Sequence, residues 1–112
     1  MITAVYNPAQ PQLTVSGHAN SAEYGRDLIC AGVSTLVYTL QRKVAQLKRD
    51  GLIQDFVSTH EKGFATVYIL PLRNNKHIAQ VVMRTIFCGF EALAESYPEY
   101  ITCHEIPNSC GE

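Results

Sequence analysis

Two residues in this chain have the types and the spacing for nucleophilic thiol chemistry, His18 and Cys30. A free thiol is a weak nucleophile at neutral pH until a base, a cation or a helix N-terminus draws its proton away. Imidazole, with an unperturbed pKa of ~6.5, suits the base, taking the thiol proton and later returning it to a leaving amine. The chemistry implied is acyl transfer: thiolate attack on a carbonyl, a covalent thioester, then hydrolysis. Each residue also has a plainer reading. His18 could be a hydrogen-bonded turn residue, and Cys30 a small buried hydrophobe.

The elements around them are those such a pair needs. Leu13 to Ser16 reads as a strand running into a tight turn at Gly17-His18, where the glycine permits a bend that aims the ring back over the sheet end. Ala19, Asn20, Ser21, Ala22, Glu23, Tyr24, Gly25 and Arg26 then form a polar loop, expected to be mobile and to order as a peptide enters. Asp27 stands just before an apolar-periodic run and reads as the N-cap of a helix. With that cap, Cys30 takes the third helical position, where the partial positive charge of the helix end favours thiolate. Backbone N–H groups near Cys30 and Ala31 would then be free to hold an oxyanion. Asp27 has a second reading, as the group that orients the imidazole of His18, but its place at the helix boundary already accounts for it. Ser34, one turn after Cys30, faces the same way and either lines the pocket or is a plain helix serine.

The rest of the chain supplies a frame. Met1 to Tyr6 is β-prone, and Asn7-Pro8-Ala9-Gln10-Pro11 breaks it into a hairpin with the strand that carries His18. From Leu28 to about Lys48, Ile29, Val33, Leu36, Val37, Leu40, Val44 and Leu47 recur at helical steps, and Asp50-Gly51 ends the run. Gln41, Arg42, Lys43, Lys48 and Arg49 read as its solvated face. Residues 53–60 and 64–70 form a second hairpin around Glu61-Lys62-Gly63, stopped by Pro71. Asn74-Asn75 is expected to cap a second helix that carries Cys88 on its apolar face and ends at Pro98; Gly89 within it permits close packing. Residues 100–106 make a last strand. The order ββαββαβ predicts one α+β domain over residues 1–112, its sheet mixed or mainly antiparallel and packed with two helices.

Composition narrows the function classes. A chain of 112 residues holds one core. Nine basic against ten acidic residues give no pull towards nucleic acid or an anionic membrane. No apolar stretch approaches the ~18 residues of a membrane span, and a signal peptide's pattern is absent, so a cytoplasmic protein is expected. Cys30, Cys88, Cys103 and Cys110 are therefore expected to stay reduced. Cys103-His104 with Cys110 lacks the paired spacing of a structural zinc site, so no metal and no cofactor are expected. His60 and His77 fall at element ends without an evident partner, and Glu91, Glu95 and Glu99 read as a solvated face.

Gly17-His18-Ala19, then Gly25 and Asp27, then Cys30-Ala31 with Val33-Ser34 resemble the Prp family, the ribosomal-processing cysteine proteases, in the family's order and roughly its spacing. Chain length and the downstream elements follow the family as well. One departure is Gly32, where alanine is expected; it lowers helix propensity and leaves the chemistry untouched. The resemblance implies a cysteine endopeptidase with Cys30 as nucleophile and His18 as base. Its substrate would be large-subunit ribosomal protein twenty-seven, cut after an apolar, phenylalanine-rich segment to remove an N-terminal extension. It also implies a homodimer, with no direct contact to nucleic acid or membrane. Two other classes fit a pair of this kind: a non-enzymatic ribosome-assembly or protein-binding domain, and a thiol redox or acyl-transfer protein. The absence of a Cys-x-x-Cys pair counts against the redox reading.

Overall fold

The computed structural model describes residues 1–17 and 26–107. Seven elements follow in chain order: β1 (Ile2–Asn7), β2 (Gln12–Gly17), α1 (Arg26–Arg49), β3 (Ile53–Glu61), β4 (Phe64–Pro71), α2 (His77–Ser96) and β5 (Ile101–Glu105). This is the expected ββαββαβ order. The strands make one five-stranded mixed sheet in the order β3-β4-β2-β1-β5. Three neighbouring pairs are antiparallel, and β1 pairs with β5 in parallel.

The period of two explains which face is covered. Ile2, Ala4 and Tyr6 of β1, Leu13 and Val15 of β2, and Ala65, Val67 and Ile69 of β4 alternate into one face and are all buried. Both helices pack on that face. α1 contributes Ile29, Val37, Leu40, Val44 and Leu47, and α2 contributes Ala79, Met83, Ile86, Phe87 and Phe90. At ~1.5 Å per residue α1 is about 36 Å long and crosses the sheet. Arg42, Lys43, Lys48 and Arg49 are exposed as expected, and Lys48 pairs with Asp55 of β3 at 2.9 Å.

Turn chemistry accounts for the breaks. The Asn7 side chain accepts the Ala9 N–H at 3.2 Å, tightening the β1–β2 turn. α1 ends where Asp50-Gly51 predicted. Gly51 takes φ +73°, the Gly51 N–H donates to the Lys48 carbonyl at 3.0 Å, and the Leu52 N–H donates to Leu47 at 2.9 Å. That is a Schellman closure, which needs a left-handed residue at Gly51.

Three expectations are corrected. Asn74-Asn75 does not cap α2: the Asn75 N–H is used in a turn to the Leu72 carbonyl at 3.2 Å, and the helix opens after Lys76 with no side-chain cap bond. Cys88 is exposed, not core. The buried stripe of α2 runs Ala79, Met83, Ile86, Phe87, Phe90, and Cys88 falls off it together with the exposed Val81. α1 starts at Arg26, so Arg26 belongs to the helix and not to the loop before it.

Candidate active site

At the end of the sheet nearest the start of α1, small residues leave room. The register sets one row across the covered face as His60, Ala65, Val15, Ala4 and Cys103. Ala65 in that row, with Gly17 and Gly63 beyond it, leaves space beneath the first half of α1. A cavity of about 170 Å³ results, floored by Ile2, Val15 and Ala65. Its roof is one flank of α1, where Cys30, Val33, Ser34 and Val37 follow at helical steps of three and four.

Gly17, Cys30 and Ser34 therefore meet at one cavity. Gly17 closes β2 with φ +100°, and its N–H donates to the Gly63 carbonyl at 3.0 Å. A Cβ at Gly17 would run into the Met1 carbonyl, so both the backbone angle and the space demand glycine there. β2 therefore ends on a residue whose backbone is fixed. Cys30 is half-buried and packs against the core. Ala31 is exposed and points elsewhere; its carbonyl accepts the Thr35 hydroxyl at 2.8 Å.

His18, the loop residues Ala19 to Gly25 and the side chain of Asp27 lie outside the described residues. The described part of α1 bears on two of the sequence assignments. Among the described residues α1 runs from Arg26, so Asp27 stands inside the helix and not ahead of it, and Cys30 lies four residues beyond Arg26. The free amides of an α-helix are its first four, so those of Cys30 and Ala31 fall inside the i→i−4 ladder. An oxyanion site built on the helix end uses amides nearer Arg26.

Sequence reasoning passed over His60. It lines the same cavity, and its ring lies 5.1 Å from that of Tyr38 at 54°. The signal was available in the hairpin: a two-residue Lys62-Gly63 turn pairs Glu61 with Phe64 and so sets His60 opposite the buried Ala65. Of the other thiols, Cys103 is held in its neutral form. Burial pushes it up to about 11, and the Glu91 carboxylate adds to the shift.

With this geometry in place, comparison with known proteins decides the family. The family model described as cysteine protease Prp matches residues 1–102. The chain belongs to the Prp family of cysteine proteases. The ribosomal processing cysteine protease Prp of Staphylococcus aureus is 27% identical over 89 residues, covering 78% of each chain. Among solved structures, SMU.848 from Streptococcus mutans superposes with a TM-score of 0.67 at 27% identity, covering 94% of this chain and 91% of its own. The Staphylococcus aureus Prp carrying a covalently linked product peptide gives 0.70 at 23% identity, covering 95% and 100%. The same enzyme with a substrate peptide gives 0.69 at 23% identity, with the same coverage. These last two likenesses speak for the Prp fold.

Proposed function

We propose that this chain, acting over residues 1–112 as one domain, is a ribosomal-processing endopeptidase with Cys30 as nucleophile and His18 as general base. The observation that carries the reading is the cavity where Cys30 and Ser34 face the end of β2, the strand whose next residue is His18. His18 takes the Cys30 proton, and the sulfur attacks the scissile carbonyl. Amides at the open end of α1 hold the oxyanion. As the C–N bond breaks, His18 returns the proton to the departing amine. Water then attacks the thioester and restores the thiol. Because Cys30 sits one residue past the first turn, the helix charge acts on it less directly, and the imidazole carries more of the activation. Asp27 either steadies the helix start or orients His18.

The substrate in this reading is large-subunit ribosomal protein twenty-seven, shortened by removal of an N-terminal extension after an apolar, phenylalanine-rich segment. The name of the Staphylococcus aureus relative supports ribosomal processing, and its complexes with peptides support a peptide as ligand. The protein works in the cytoplasm as a homodimer, and residues 19–25 order around the peptide. The test is cleavage of a peptide carrying the extension, followed by mass spectrometry. A single cut by the wild type, lost in Cys30→Ala and His18→Ala while both stay folded, is expected. Equal behaviour of wild type and Cys30→Ala would replace the enzyme with a binding domain.

A further inference from the structure

The cavity beside Cys30 has one wall the acyl-transfer chemistry does not use. Ile2, Val15, Val33, Val37 and Ala65 give the cavity an aliphatic side, and Cys30, Ser34 and Glu61 are its polar members. His60 and Phe64 of the β3–β4 hairpin are its aromatic members. Phe64 pairs with Glu61, one step off the His60–Ala65 row, so by the alternation of the pleat it belongs to the uncovered face and His60 is the ring turned towards α1. The imidazole is exposed on β3, yet its direction is set twice. The register turns it to the covered face opposite Ala65, and the Tyr38 ring on α1 lies against it at 5.1 Å and 54°. That tilted contact falls in the favourable range for ring pairs, ~4.5–7 Å between centroids. Tyr38 is itself 57% exposed, so the sheet-and-helix core does not require the pair. The contact keeps the His60 ring at the cavity mouth.

We propose that His60, held in place by Tyr38, is a specificity-determining residue of the peptide site, selecting an aromatic substrate side chain over an aliphatic one of equal size. The proposal rests on the peptidase reading above. A cavity of about 170 Å³ matches one six-membered ring, since an apolar protein cavity of ~150 Å³ holds benzene. Aliphatic walls discriminate by volume and would accept a saturated ring as readily. A ring wall adds an edge-to-face preference that only another π-system satisfies. Tyr38 is the positioning residue, acting through His60 without touching the peptide.

The experiment compares two cleavable peptides that differ only by phenylalanine or cyclohexylalanine at the apolar positions before the scissile bond. Wild type, His60→Phe, His60→Leu and Tyr38→Leu are each assayed for kcat/KM, with thermal melts alongside. The wild type is expected to favour the phenylalanine peptide by about 2- to 12-fold, the range for one aromatic pair. His60→Phe keeps that ratio, His60→Leu brings it near one, and Tyr38→Leu lowers it in part. A role in stability alone would slow both peptides equally and leave the ratio unchanged in His60→Leu, overturning the proposal while the peptidase reading stands. Loss of turnover in His60→Phe as deep as in His60→Leu would also overturn it, because the imidazole would then be moving protons. A folded wild type that cuts neither peptide, like Cys30→Ala, would remove the peptidase reading and this proposal together.

Discussion

Two glycines face the α1–α2 contact, and the structure assigns them opposite responses to the same substitution. Gly32 lies on α1 opposite Leu93; a Cβ there would sit 3.4 Å from both Leu93 methyls, an ordinary contact. Gly32→Ala should therefore gain most of the helix-propensity difference, about 0.5–1 kcal/mol, with no packing cost. For a domain this size that raises Tm by roughly 3–6 °C. Gly89 lies on α2 beneath Leu36, and a Cβ there would come within 2.6 Å of one Leu36 methyl and 3.2 Å of the other. Overpacking of this kind costs about 1–3 kcal/mol. It cancels or exceeds the same propensity gain, so Gly89→Ala should leave stability unchanged or lower it by up to ~2 kcal/mol. Removing the offending methyls with Leu36→Val should make Gly89→Ala less harmful, a coupling of about 1 kcal/mol in a double-mutant cycle. Urea unfolding of the four variants and the parent measures all of this, and peptide cleavage by Gly32→Ala should stay within about twofold of the parent. A fall in stability for Gly32→Ala, or a rise for Gly89→Ala equal to it, would refute the clearance argument.

Other consequences concern charge, thiols and the end of β2. The Arg84 guanidinium grips Glu105 through two bonds of 2.8 and 3.0 Å and holds its carboxyl below the usual range. A depressed carboxylate stabilises above its unfolded pKa of ~4.3 and loses that contribution as pH falls through the folded value. Since the pair is half-exposed, Glu105→Gln should cost only about 0.5–1 kcal/mol at pH 7 and nothing measurable at low pH, read from urea unfolding at each pH. Cys103, raised to about 11, should resist alkylation of the folded protein at pH 8 while the exposed Cys88 reacts, as site-resolved mass spectrometry would show. Gly17→Ala should cost about 1–3 kcal/mol and reduce peptide cleavage, because β2 must shift away from the Met1 carbonyl and carry His18 with it.

Local chemistry made most of the fold legible. Alternation in Ile2-Ala4-Tyr6 and Leu13-Val15, the helical steps from Ile29 to Leu47, and Asp50-Gly51 each act over a few residues, and each is where it was expected. What the sequence hid was set at long range or by competition. The parallel pairing of β1 with β5 joins residues about a hundred apart, across three strands and two helices whose path no local pattern records. Asn75 could serve a turn or a cap, and the turn won. Cys88 shares a strongly apolar helix with Val81 and Phe87, and only the packing partner decides which side of that helix is inside. Cys30 stood out as a candidate because its neighbours form a dense motif. His60 was not, because its meaning depends on the hairpin register and on a tyrosine twenty-two positions earlier.

Trapping the covalent intermediate tests the account at its centre. Wild-type protein is mixed with the extension peptide, quenched in acid within the first turnovers, and digested for mass mapping. An added mass equal to the amino-terminal cleavage product is expected on the fragment containing Cys30, absent in Cys30→Ala and in the unmixed protein. Cleavage that proceeds with the added mass on Cys88 or Cys103, or undiminished in Cys30→Ala, would contradict it.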